Sequence, residues 1–513
     1  MSDILSSNGN NVFTQIENLL NVGIALTAEK DHNRLLELIV TEARNITNCD
    51  AGTLYLRQGE QLVFKIIQTQ SQNVFQGGSG EEIKLPPVKL VKDNVSAYVA
   101  LTGQTVNIPD VYFAEGFDFS GPRKYDKITG YRTQSMLVVP MGNHEGEIIG
   151  VLQLINSLED DNLKVRVFPE HYQKVIESLA SQAAIALTNA QLLKDIENLF
   201  KSFVEVMATA IDARTPYNAN HTRRVAMLAR ATAEAINIVY TGPFAHEYFN
   251  TERLEQLTMA GWLHDIGKVT TPLSVMDKAT RLEGRIEIVL QRLDYIYQLE
   301  KTNSLARQME LLKEGRLQEV DQESSLSNLR LAKVKEIKDL IIECDSPATF
   351  INDQILEQLQ EAASYTYYDA AGIERPYISD KELECLSVRK GTLTDGERKI
   401  MEQHVTYTGK MLEKITFIKK LKDVPVFASM HHEFLDGKGY PGGLKGEDIP
   451  LEGRILCLVD IYDALTAGDR PYKKAMTWEE ALRILGFMIK EGKLDEELFN
   501  VFKEYRVWEK VEG

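Results

Sequence analysis

Long apolar runs are missing from this sequence: no stretch of about 18 consecutive apolar residues occurs, so no membrane span is expected. Cysteine is scarce. The four cysteines, Cys49, Cys344, Cys385 and Cys457, are scattered without Cys-x-x-Cys spacing, which argues for reduced, packed thiols and against a disulfide framework. The opening MSDILSSNGNN has no basic segment leading into an apolar one, so a cytoplasmic location is expected. Basic charge is in deficit, with 58 Lys and Arg against 75 Asp and Glu, and the net charge of −17 disfavours binding to polymeric nucleic acid. A small anionic substrate would then need a locally positive site, which bound metal ions can supply. A length of 513 residues favours two or more domains, each large enough to bury its own core.

Histidine is also sparse, nine in all, yet five fall in four short phrases. These are His221 in NANHTRRVA, His264 in WLHDIGK, His404 in IMEQH, and His431 with His432 in MHHEFLDGKGYPGG. A further phrase, LVDIYDALTAGDRPYKKAM, adds Asp460 and Asp463. Neutral imidazoles and carboxylates are ligands for first-row transition metals, and their repeated clustering beside acids points to a metallohydrolase.

The order of these phrases resembles the HD-GYP family of metal-dependent phosphodiesterases, whose usual substrate is cyclic di-GMP. The resemblance implies an all-α domain over 213–485 holding two divalent transition metals, Fe or Mn favoured by the mixed His and carboxylate set. It implies His221, His264, Asp265 and Asp460 on one metal, and Asp265, His404, His431 and His432 on the other. Asp265 would bridge, since a carboxylate offers two oxygens where an imidazole offers one nitrogen. Lys268, one turn beyond, is expected to act with Asp265 in catalysis and to meet a phosphate oxygen. Adjacent His431 and His432 cannot share a side-chain direction, so one is expected closer to substrate, and Glu433 behind them. The glycine-dense loop with Asp436, Gly439, Tyr440 and Pro441 is expected to shape the substrate site and to recruit protein partners. Asp463, Arg470 and Lys473 complete the expected substrate contacts. Some family members carry a glutamate four residues before the first ligand histidine, adding a third metal; Tyr217 stands there in this chain, which implies two.

Upstream, after a polar tail over 1–12, Ile16, Leu19, Leu20, Leu35, Leu36, Ile39 and Val40 keep helical spacing. Alternating segments follow: GTLYLRQ, QLVFKIIQT, SMLVVPM and IIGVLQLIN. Helix, strands, a long loop, more strands and a closing helix describe an α/β module. Its phrases GQTVNIPDVY, TGYRTQSMLVVPM and GEIIGVLQLIN resemble a GAF domain over 13–190, an antiparallel sheet with flanking helices. The family's Asn-Lys, Phe, Asp-Glu signature is broken at Asn156–Ser157 and after Phe168, which leaves open a small-molecule pocket or an empty fold used for dimerisation. From about Phe168 to Asp212 the positions Val175, Leu179, Ala186, Leu193, Ile196, Phe200, Phe203 and Met207 predict one long helix, its segment 191–212 linking the two domains and pairing in a homodimer.

The family pattern is interrupted between 277 and 390, where Ile286, Val289, Leu290, Leu293 and Ile296, then Leu326, Leu329, Val334, Ile337, Leu340 and Ile341, predict two long amphipathic helices. The tract SYTYYDAAGIERPY either returns the chain to the core or covers the site, and 486–513 is expected to form a helical tail. The leading expectation is a GAF-controlled phosphodiesterase opening cyclic di-GMP to pGpG, GMP or both. The rivals are an HD-type phosphohydrolase of another cyclic dinucleotide or nucleotide, and a weakly catalytic nucleotide-binding adapter.

Overall fold

The computed structural model describes residues 20–29, 31–159, 164–214, 220–468 and 475–511. The chain divides into two compact units, Met1–Phe200 and Lys201–Gly513. No helix among the described residues is long and apolar enough to cross a membrane.

The first unit opens with helix α1 (20–28) and α2 (His32–Thr47), the latter started by Asp31, whose carboxylate accepts from Arg34 N. Strands β1 (Cys49–Gln58), β2 (Gln61–Thr69), β3 (Val74–Gly77) and β4 (Val88–Lys89) lead to α3 (Val95–Thr102) and β5 (Val106–Ile108). Then come α4 (Ser120–Thr129), β6 (Met136–Gly142), β7 (Ile148–Leu158), β8 (Val165–Arg166) and α5 (Glu170–Asp212). The sheet order is β3-β2-β1-β7-β6-β5 with β4 on β2 and β8 on β7, every pairing antiparallel. The four alternating sequence segments supply the long strands.

Period-two alternation decides the two faces. Leu137, Val139 and Met141 pack with Leu152 and Leu154 against the apolar sides of α2 and α5. Met136, Val138 and Val151 point the other way, onto Val95, Val99, Ile108, Val111 and Phe119. Both faces are therefore buried.

The second unit is mostly helical: α6 (His221–Ile236), α7 (Thr251–Leu263) and the short α8 (Leu273–Met276), then α9 (Ile286–Lys313) and α10 (Leu317–Asp345). Next come α11 (Asp353–Ser364), the small hairpin β9 (Thr366–Tyr368) and β10 (Glu374–Pro376), and α12 (Asp380–Leu386). The unit continues with α13 (Asp395–Leu412), α14 (Val424–Ala428), α15 (Leu451–Thr466), α16 (Trp478–Lys490) and α17 (Glu496–Glu504). α9 and α10 are antiparallel, as the ion pairs Asp294–Lys338, Glu300–Arg330 and Arg307–Glu323 require.

This interruption builds a core of its own, with Val289, Leu293 and Ile296 against Val334, Ile337, Ile341, Leu359, Ile378 and Leu386. Its base is stitched by fully buried Arg281, which donates to the carbonyls of Cys344, Ser346, Thr349 and Val388. The SYTYYDAAGIERPY tract forms the β9–β10 hairpin, and Tyr365 and Tyr377 at its base pack in or against this core. The expected boundary at 485 falls inside α16, and the expected tail packs inward: Phe502 and Trp508 are buried beside Tyr462 of α15.

Candidate metal centre

Five elements of the second unit converge. His221 is the first residue of α6, His264 and Asp265 follow the end of α7, His404 lies in the middle of α13, His431 and His432 follow α14, and Asp460 lies on α15. Helix α13 is fixed by a capping box, Thr394 with Glu397, and by buried Lys278, whose ammonium binds Glu397 at 2.7 and 2.9 Å. It lies directly on the turn after Asp265, where a Cβ on Gly267 would stand 1.9 Å from the His404 carbonyl oxygen. Only glycine admits that approach. Thr408, one turn beyond His404, seals the contact by donating to His264 O at 2.9 Å and accepting from Gly267 N at 3.0 Å.

Three imidazoles are held in one tautomer by the backbone. His264 Nδ1 lies 2.7 Å from Gly261 O, His404 Nδ1 2.6 Å from Met401 O, and His431 Nδ1 2.8 Å from Ala428 O. A carbonyl oxygen can only accept, so each Nδ1 carries a hydrogen and each neutral ring presents the Nε2 lone pair. Those Nε2 atoms, together with Asp265 Oδ1, are buried with no hydrogen-bond partner among the described residues. Buried lone pairs facing carboxylate oxygens repel them unless a cation lies between.

The distances sort the donors into two groups. His221 Nε2 and His264 Nε2 lie 3.4 and 3.2 Å from Asp265 Oδ2, and 3.2 and 3.6 Å from Asp460 Oδ1. His404 Nε2 and His431 Nε2 face the other oxygen, Asp265 Oδ1, at 3.4 and 3.9 Å, and His432 Nδ1 lies 4.0 Å from Asp460 Oδ2. Within His221, His264 and Asp265, and within His404, His431 and His432, one donor atom from each residue lies within 4.8 Å of the others. The donor set fits divalent metal.

Electrostatics divide along the same line. Burial opposes charge on His221 and His264, but the carboxylates beside them outweigh it, raising His221 well above the ordinary value and His264 to about 9, so a positive charge is favoured there, carried by a proton on Nε2 or by a metal ion that replaces it. Burial dominates at His404, His431 and His432, pushing all three down, His432 to about 4. Burial also opposes ionisation of Asp265 and Asp460, yet Lys268 and His264 hold Asp265, and His221 and His264 hold Asp460, well below the carboxylate range.

The expected substrate contacts are placed variously. Lys268 Nζ sits 2.6 Å from Asp265 Oδ2. Asp463 does not stand at an open surface: it is buried behind His221, its Oδ2 2.7 Å from Nδ1, while Arg224 clamps both its oxygens at 2.6 and 3.0 Å. That makes it an orienting carboxylate, with both acceptors already engaged. Gly439 backs onto the 432–434 backbone, where a Cβ would meet Phe434 N at 2.3 Å. Tyr440 donates its N–H to His432 O at 3.0 Å and sets its ring 4.7 Å from the His432 ring. Pro441 follows through a cis peptide and is exposed, and Asp436 Oδ1 accepts from Lys438 N at 2.9 Å. Buried Glu433 closes the loop from beneath by accepting from Gly442 N and Leu444 N. Tyr217, Arg470 and Lys473 lie outside the described residues. Sequence reasoning missed Arg224 and Thr408; their one signal is a helical turn's spacing from His221 and His404.

The chain thus sets a sheet-based module before a helical unit that gathers histidines and aspartates. Family models agree: a GAF domain matches residues 31–187, and HD domains match 218–330 and 381–498. The chain carries a GAF domain followed by an HD domain. It is 41% identical over 97 residues to the 3'3'-cGAMP-specific phosphodiesterase 3 of Vibrio cholerae, covering 19% of this chain and 20% of that protein. It is 40% identical over 98 residues to the cyclic di-GMP phosphodiesterase response regulator RpfG of Xanthomonas campestris, covering 19% and 25%. The match thus spans a quarter or less of either relative's length. Among solved structures, the GAF domain of a phosphoenolpyruvate-protein phosphotransferase from Coxiella burnetii matches at 16% identity and a TM-score of 0.29, over 36% of this chain and 99% of that one.

Proposed function

We propose that this protein is a binuclear metal-dependent phosphodiesterase that opens a cyclic dinucleotide, cyclic di-GMP in the first instance, to pGpG, GMP or both. The observation that carries the reading is the division of Asp265: Oδ2 faces His221 and His264, Oδ1 faces His404 and His431. When bound, two divalent cations, Fe or Mn, supply Lewis-acid stabilisation of the phosphoryl oxygens. The chain does the rest. Asp463 and Arg224 hold the His221 ring, Lys268 adds positive charge beside the phosphate, and the Tyr440 ring offers a face on which a base can stack. Asp436, Gly439 and Pro441 frame that face, with Arg470 and Lys473 proposed for the second phosphate. In this reading the GAF domain controls turnover in answer to a small molecule, the GYP loop is open to protein partners, and the protein works in the cytoplasm.

A homodimer belongs to the same reading. Leu192, Ile196, Leu199, Phe203 and Val206 on α5 are all exposed and alternate four- and three-residue steps, the spacing of a two-stranded seam. The second reading keeps the chemistry and changes the substrate to 3'3'-cGAMP, favoured by the name of the Vibrio relative. Incubating metal-loaded protein with a panel of cyclic dinucleotides and resolving the products by chromatography separates the two. Binding without turnover of any of them would leave the adapter reading.

A further inference from the structure

Helix α6 begins with His221, and its own N-cap does no capping. Asn220 sits in the left-handed region at φ 62° and its side chain makes no cap hydrogen bond. The first turn of a helix leaves backbone N–H groups without intrahelical partners, and a carboxylate there is favoured by the positive end of the helix dipole. Here that carboxylate comes from another helix: Asp212, the last residue of α5, is buried and accepts from Thr222 N at 3.3 Å and Thr222 Oγ1 at 2.7 Å. An acid at the C-terminal end of α5 runs against that helix's own dipole, so its position is explained by what it does for α6.

Two residues on, Arg214 makes the converse contact. The 3-10 turn Ile266–Thr270 starts just after Asp265, and at its end Lys268 O accepts from Thr271 N at 3.0 Å. Arg214 donates to Lys268 O at 2.6 Å and to Thr271 O at 3.1 Å, a guanidinium on the negative end of a helical turn. A carboxylate and a guanidinium from one short segment thus cap the two elements that carry His221 and Asp265.

We propose that Asp212 and Arg214 are positioning residues of the metal centre, so that the end of α5 sets the separation of His221 from Asp265. This rests on the metal-centre reading above. Neither side chain is placed as a ligand; each acts through the element it caps. A displacement of α5's last turn would reach His221 through Thr222, and Asp265 through the turn that follows it.

The test uses the full chain with Co(II) as the probe metal, whose ligand-field absorption reports coordination geometry. Asp212→Ala and Arg214→Ala should each weaken Co(II) affinity about tenfold and shift the ligand-field bands. Asp212→Asn, which keeps an acceptor oxygen, and Arg214→Lys, which keeps a donor, should recover part of both and guard against simple misfolding. Wild-type affinity and bands in the alanine variants, or a lowered melting temperature with unchanged bands, would overturn the proposal. A wild-type chain that takes up no Co(II) would overturn the metal-centre reading, and this proposal with it.

Discussion

Gly267→Ala isolates one contact on which the metal centre is built. The added Cβ would stand 1.9 Å from His404 O, 2.6 Å from Thr408 N and 2.8 Å from Thr408 Oγ1, where an ordinary contact begins at 3.4 Å. Two of these atoms belong to the backbone of α13, so relief requires the helix to move by about 1.5 Å. Metal–ligand distances tolerate only about 0.2 Å, so His404, 3.4 Å from Asp265 Oδ1, would leave its group. Overpacking of this kind costs about 1–3 kcal/mol, and losing the Gly267 N to Thr408 Oγ1 hydrogen bond adds about 1 kcal/mol. The variant should therefore still fold, melt several degrees lower, and keep metal at the His221 side while losing it at the His404 side. Elemental analysis of purified protein, with turnover of a cyclic dinucleotide, measures both. Gly396→Ala in the first turn of the same helix is the control: its Cβ meets nothing closer than Thr394 Oγ1 at 4.0 Å, so it should be neutral or slightly stabilising. Full metal content and wild-type turnover in Gly267→Ala would refute the argument.

Asp265→Ala should abolish turnover and lower metal content, while Lys268→Ala should reduce turnover about tenfold with metal retained, since a charge-assisted contact is worth about 1.5–3 kcal/mol; metal loss in the lysine variant would reverse the assigned roles. Glu433→Ala leaves Gly442 N and Leu444 N without their carboxylate, so KM for a cyclic dinucleotide should rise several-fold at unchanged metal content, and an unchanged KM would detach the loop from substrate binding. Arg281→Ala strands four carbonyls at the base of the α9–α10 hairpin and should cost about 3 kcal/mol in thermal or denaturant unfolding. A loss below about 1 kcal/mol would show that the hairpin's apolar core holds the base without it.

The sequence by itself determined the candidate donor types, their order, the four long strands and the long helix ending at Asp212. These are local properties: an imidazole carries a nitrogen able to donate a lone pair wherever it stands, alternation of period two makes a strand, and three- and four-residue spacing makes a helix face. The two helices of the interruption were legible for the same reason. Only the tertiary structure decided which lone pair faces which oxygen. Asp463 looked like one more group for substrate until α15 carried it behind His221, 242 residues away in the chain, where Arg224 holds it. The tautomers of His264, His404 and His431 are set locally, each by the carbonyl three residues back, but the closeness of His404 to Asp265 depends on Gly267 meeting a backbone it never neighbours in sequence. Spacing along a chain fixes the face of an element; the partner across that face is fixed by packing between elements, which no single stretch of sequence contains.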